Sequence, residues 1–374
     1  MDVEASWKEV RARRLARSFL SERASSDRLV EVVSALCGVQ AQLQTAAELQ
    51  LAARIDGLTQ TDVQEAVWEQ RALVKAWTLR GTLHLHPAGE LPLWHAARRA
   101  ALGREGLPTW RDPARVLHPA LGADEVEAVR AVIWEALDGR CLARDELTEE
   151  VVNHVGAASQ ARLRSGFAFF HTDLCQGRPQ GSRITLVRPD QWIGSWREVD
   201  EREALREVCR RFLRTYGPAR PADFAAWFGA AQPQALFDKL GAELEVIDAA
   251  GRRSYVLAGD RSFAATSPQV RLLPEYDVYV LGFRERDELI PEPVRELIAS
   301  HRRGRYEGPV ATRIVLVDGI AAGLWERHKR GKRIELRVRL VRQLGHAAGA
   351  ELRSEAERIG AFLGLEPAFS VDVG

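Results

Sequence analysis

Gly38-Val39-Gln40-Ala41-Gln42 sets two carboxamides two positions apart. In an extended or turning segment that step puts both side chains on one side of the chain, and each amide offers two N–H donors and a carbonyl acceptor. Such a pair can clamp a water molecule and aim it at an electrophile. An amide is too weak a base to deprotonate water before attack, so the chemistry it suits is hydrolysis of a bond whose leaving group departs without help from an acid. On spacing alone, a polar loop after a helix is the more economical account of these residues, and it stays open at this point.

The chain that must position the pair has 374 residues, too many for one small core, so two to four modules are expected. Hydrophobic residues make up 46% and charged ones 28%, enough apolar side chains to fill several cores without metal or disulfide staples. The 53 Lys and Arg nearly balance 52 Asp and Glu, so the formal charge is +1 and no global field draws the protein to nucleic acid. Any DNA binding must use local basic patches. The first residues lack a basic segment before an apolar core, and no run reaches the roughly 18 apolar residues of a membrane span. The expectation is a cytoplasmic protein. Cys37, Cys141, Cys175 and Cys209 are widely spaced, which predicts reduced, mostly buried thiols rather than a zinc or redox site.

The pattern of three helices followed by a hairpin recurs three times, which is how a winged helix-turn-helix module looks in sequence. In the first copy (1–120), helices are expected over Trp7 to Leu20 and Asp27 to Cys37, with a third starting near Thr59 as cap. Val74 to Trp77 and Thr82 to His86 alternate as wing strands around Arg80-Gly81. The second copy (121–198) has Asp124 to Leu137, Ala143 to Val152 and Ser159 to Thr172, then wing strands Leu174 to Gln176 and Arg183 to Val187. In the third (199–265), Ala204, Leu205, Val208, Phe212, Leu213 and Tyr216 repeat at three and four until Gly217-Pro218 stops the helix. Ala222 to Phe228 and Gln234 to Leu240 follow, with Leu244 to Ile247 and Ser254 to Leu257 as the wing. From 266 to 374 the pattern changes to short strands, Arg271 to Leu273, Arg313 to Val317, Ile320 to Trp325 and Ile334 to Leu340, with Asp318-Gly319 as a hairpin turn and a final helix Leu352 to Leu363. A small C-terminal β-barrel is expected there. The class is α+β.

Several strings in order make the chain resemble the AlkZ and YcaQ family of bacterial alkylpurine DNA glycosylases over nearly its whole length. They are Gly38 to Gln42, Trp77-Thr78-Leu79-Arg80-Gly81-Thr82-Leu83-His84, Gly217 to Phe224, Leu272-Leu273-Pro274-Glu275-Tyr276-Asp277, Gly282-Phe283-Arg284-Glu285-Arg286, and Val317 to Trp325. The resemblance implies tandem winged helices in a C-shaped arrangement with the barrel closing a DNA channel, and catalysis by Gln40 and Gln42. It also supplies the bond. Loss of a purine passes through an oxocarbenium-like sugar, and an ordinary purine must be protonated to leave. A guanine alkylated at N7 already carries positive charge, so positioning water and stabilising the cation suffice. The family divides between Asp and Gln at the second motif position, and Gln42 resembles the members that unhook bulky adducts and interstrand crosslinks.

Other residues carry two readings each. Arg80 grips a phosphate or is a surface turn arginine; Thr82 lies beside it on the DNA-facing string. His84 and His86 face one way on a strand, with His84 the candidate for the lesion pocket rather than a metal ligand. Asp277 either pairs with Arg284 or Arg286 or supports the sugar cation, while Arg284 and Arg286 face phosphates. The tip from Arg327 to Arg333, with Lys329, Arg330 and Lys332, contacts phosphates or is a solvated hairpin end. Trp134 and Trp227 fall on apolar helical faces and are expected in the core. No aromatic base pocket is visible, which suits attack on the sugar while the modified base stays in the duplex. The expected enzyme is a monomeric, monofunctional glycosylase without cofactor or metal, acting on double-stranded DNA in the nucleoid. A noncatalytic damage-binding protein and a winged-helix transcription regulator are the alternatives.

Overall fold

Apolar spacing decides most of the elements in the computed structural model, which describes residues 3–102, 121–230, 232–263, 269–301 and 311–374. Helix Trp7–Arg17 starts at a capping box in which the Ser6 hydroxyl accepts from the Glu9 amide and Glu9 accepts from Ser6 N. Helix Gln60–Trp68 starts the same way, with Thr59 and Asp62 exchanging bonds of 2.8 and 3.2 Å. The chain divides into two units, one built from 1–63, 210–223 and 237–374, the other from 64–209 and 224–236.

In the first unit, helices Trp7–Arg17, Leu29–Ala35, Gln44–Ala52 and His346–Leu363 accompany the short parallel pair Ala24–Ser25 and Ile55–Asp56 and two larger sheets. The smaller adds Val3–Ala5, in parallel, to the antiparallel pair Leu244–Ala249 and Arg253–Leu257 expected as the third wing. The larger has five strands in the order Val270–Leu273, Ile314–Val317, Ile320–Arg330, Arg333–Leu340 and Glu366–Val373. Asp318 (φ 51°) and Gly319 (φ 78°) make the left-handed two-residue turn expected of that dipeptide. The expected closed barrel is corrected to an open sheet. The final strand, missed in sequence, returns parallel to Arg333–Leu340 after the crossover helix His346–Leu363, leaving Val270–Leu273 and Glu366–Val373 as opposite edges. Leu15, Leu273, Tyr279, Phe283, Ile290 and Ile314 belong to the main core of this unit.

In the second unit the first and second wings are not separate. Leu83–Pro87, Leu73–Trp77, Cys175–Gln176, Thr185–Val187 and Leu142–Ala143 lie side by side in one sheet. Each hairpin covers the other's edge, satisfying backbone groups that would otherwise face solvent. Val129, Ile133, Leu147, Leu163 and Phe170 form the adjoining core. Trp227 is buried as expected, but Trp134 is 37% exposed with the Arg188 guanidinium 5.0 Å from its ring. None of the four cysteines is in a disulfide, and of the four Cys141 alone is exposed. Among the described residues, no helix is long and apolar enough to cross a membrane.

Candidate active site

Helix Leu29–Ala35 ends where Cys37 (φ 61°) and Gly38 (φ 91°) both turn left-handed, with Gly38 N donating to the Val33 carbonyl at 3.0 Å. That reversal launches the two-residue strand Val39–Gln40 and the bend at Gln42. Val39 and Ala41 are wholly buried, so they anchor the segment in the core. Gln40 is 5% exposed, whereas Gln42 lies open to solvent. The pair therefore reaches from the interior to the surface.

Support comes from helix Gln44–Ala52, which sequence reasoning passed over. The buried Gln50 amide donates to the Gln40 carbonyl at 3.0 Å, and its Oε1 accepts from Val278 N at 3.2 Å. One turn on, Arg54 donates to the Gln50 carbonyl at 2.9 Å and grips Asp277 through both Nη atoms at 2.9 and 2.7 Å. Arg54 and Asp277 side chains are both 0% exposed. Asp277 also accepts from Tyr279 N at 2.9 Å, capping the short helix Val278–Leu281. Asp277 thus forms a buried ion pair with Arg54, not with Arg284 or Arg286, because its position at the start of that short helix faces it inward. Its carboxylate braces the segment that carries the glutamines.

Of the expected phosphate contacts, Arg284 is exposed, but Arg286 turns back, its Nε donating to the Val280 carbonyl at 3.2 Å. The two do not face solvent together. Lys329, Arg330 and Lys332 stand exposed at the tip of the hairpin Ile320–Arg330 and Arg333–Leu340, as a basic end should. Arg327, lower on the same strand, is half-buried and donates to the Thr45 hydroxyl at 2.9 Å. Burial and the neighbouring Arg313 hold its pKa below the ordinary guanidinium value, so it belongs to the protein side of the hairpin rather than to its tip.

The second unit holds the remaining candidates. Arg80 (φ 54°) and Gly81 (φ 72°) form the turn between the first wing strands, and the Arg80 guanidinium donates to the Trp227 carbonyl. The Thr82 hydroxyl donates back to the Leu79 carbonyl at 3.0 Å, closing that turn. His84 is corrected from a DNA-facing residue to a core histidine, 2% exposed, with Nδ1 3.0 Å from the Thr82 carbonyl oxygen. Its neighbour His86 lies against Trp94, ring centroids 4.4 Å apart. Burial above all, then the charge of Arg80, lowers the His84 pKa to about 3, against the hydrogen bond to Thr82. The folded state therefore favours the neutral ring. Its contribution to stability is complete above the unfolded value near 6.5 and is withdrawn as pH falls from 6.5 toward 3. His84 is expected to contribute about 1 kcal/mol of the loss by pH 5.5; because burial also lowers His95 and His171, it is read from urea unfolding of wild type and His84→Gln at pH 7.5 and 5.5. An equal pH-dependent loss in the two proteins would mean that the ring is hydrated.

The glutamine segment, its bracing ion pair and the hairpin base thus occupy one unit, an arrangement suited to holding a neutral donor–acceptor pair still. The model of the DNA glycosylase AlkZ-like family matches residues 33–362. The chain belongs to this family. It is therefore a DNA glycosylase, and the family match begins just before the glutamine segment. An interstrand DNA cross-link repair glycosylase of Streptomyces sahachiroi is 32% identical over 342 residues, spanning 87% of this chain and 88% of the relative. The solved structure of Streptomyces sahachiroi DNA glycosylase AlkZ matches with a TM-score of 0.81 and 27% identity, over 99% of this chain and 100% of that one.

Proposed function

We propose that this DNA glycosylase hydrolyses the N-glycosidic bond of cationic, N7-alkylated purines with a water molecule held by Gln40 and Gln42. The observation that carries the reading is the contrast between the two amides. One is buried and fixed through its backbone to Gln50, and the other is open to solvent two residues away. A buried amide on an anchored backbone and an accessible one can orient water without first deprotonating it, which suffices when the departing base neutralises its own charge. Among bases, that restricts the enzyme to lesions already activated for departure. A bulky adduct would be attacked at its sugar while the base stays stacked. The Streptomyces relative is named for interstrand cross-link repair, and we extend that substrate class to this chain.

The deciding experiment is single-turnover release of 7-methylguanine from a duplex, followed by the same assay on a duplex crosslinked through N7 of guanine. Release of both, with unmodified purines left in place, is expected. Binding to the lesion without release would make the protein a damage binder and overturn the reading. Phosphate contact is assigned to Arg284 and to the hairpin tip at Lys329, Arg330 and Lys332. Arg284→Ala is expected to weaken duplex binding regardless of sequence and to reduce the slope of log K against log salt by about 1. An unchanged slope would remove Arg284 from the interface.

A further inference from the structure

Helix Gln44–Ala52 carries a second polar side chain that the glutamine pair does not account for. Glu48 is 1% exposed among the alanines and leucines of that helix. Its Oε1 accepts from the Gln44 amide at 3.2 Å, and its Oε2 accepts from the Gln60 amide at 2.7 Å. Its negative charge is also felt by Arg327, which bonds to Thr45 on the same helix turn. Gln44 is the first residue of the helix, two positions after Gln42. A carboxylate is costly to bury, and a leucine would serve packing better. Its bonds explain why one stands here. One oxygen holds the residue that ends the Gln42 bend and the other holds the start of the next helix.

We infer that Glu48 is a positioning residue for the glycosylase reaction: through Gln44 it fixes the bend that presents Gln42. The inference rests on the role given to the glutamine pair. Gln50 secures the buried end of the motif through the Gln40 carbonyl, and Glu48 secures the exposed end. The two anchors sit on one helix, so Gln40 and Gln42 keep a constant separation while DNA binds.

The test is single-turnover release of 7-methylguanine at varied enzyme concentration for Glu48→Gln, Glu48→Asp, Gln44→Ala and Gln42→Ala. Glu48→Gln preserves shape but turns one acceptor into a donor facing another amide. It should slow the saturated rate by on the order of 10- to 100-fold while the half-saturating concentration stays within about 2-fold, because the loss is of aim rather than affinity. Gln44→Ala should do the same from the partner's side. Glu48→Asp, which keeps the carboxylate, should recover part of the rate. Should Glu48→Gln not fold, Glu48→Asp and Gln44→Ala decide alone. Wild-type rates in Glu48→Gln or Gln44→Ala, or a loss confined to the half-saturating concentration, would overturn the inference while a slow Gln42→Ala leaves the glutamine reading intact. Full release by Gln42→Ala would overturn both.

Discussion

Replacing Gln42 with alanine is expected to slow release of 7-methylguanine by on the order of 100-fold or more with no measurable change in folding. The residue is exposed and lies in a bend whose backbone is anchored at Val39 and Ala41. Truncating it therefore removes a hydrogen-bonding group without opening a cavity. Gln40→Ala should slow release as strongly, but with a second effect, because Gln40 is 5% exposed. Removing a buried amide leaves its neighbours short of a partner, at a cost of about 1–3 kcal/mol. The two variants should thus agree in saturated rate and differ in urea midpoint. Duplex affinity, measured by anisotropy in parallel, should hold in both. Release at the wild-type rate from either variant would falsify the water-clamp reading.

The second large effect is on folding. Arg54→Met or Asp277→Leu alone should destabilise the protein by about 3–5 kcal/mol, since each strands one charge inside the core. Both side chains are 0% exposed, joined by two hydrogen bonds, and tied to Gln50 and Tyr279 as well. The double variant should recover part of the loss, because an apolar pair of similar volume removes the stranded charge. Denaturant unfolding of the singles and the double gives the coupling directly. A single-variant loss below about 1 kcal/mol would show that water reaches the pair. Where a single variant still folds, slower base release should accompany lower stability, since Arg54 holds Gln50 and Gln50 holds Gln40.

What the sequence discloses and what it hides follow from the range of each interaction. Helices Glu201–Tyr216 and Gln60–Trp68 are legible because stripes, stops and caps are local signals. Asp318-Gly319 is legible because few dipeptides accept two consecutive left-handed residues. Helix Gln44–Ala52 is hidden because it is buried on most sides, including Glu48 and Gln50, and so shows no polar face opposite an apolar one. The i, i+4 pairs Gln44 with Glu48 and Gln50 with Arg54 were the available clue. The spacing of Gln40 and Gln42 points to a chemistry from sequence alone, whereas the partner of Asp277 is not legible there. Arg284 and Arg286 are near it in sequence, whereas Arg54 is 223 residues away. His84 misled for a related reason. Alternation along a strand shows which residues share a face, but not whether that face meets solvent or a core.

The discontinuous first unit sets an order of events during synthesis. Gln40, Gln42 and Arg54 leave the ribosome well before Asp277, which follows Arg54 by 223 residues, and the edge strand Glu366–Val373 comes later still. At bacterial elongation rates of about 5–20 residues per second, the interval between Arg54 and its carboxylate is roughly 10–45 s. Residues 64–209, uninterrupted in the second unit, can collapse during that wait. A chain cut short before Asp277 carries both glutamines but lacks the carboxylate that braces their segment, so, on the proposed water-clamp reading, incomplete copies are not expected to release bases from the chromosome.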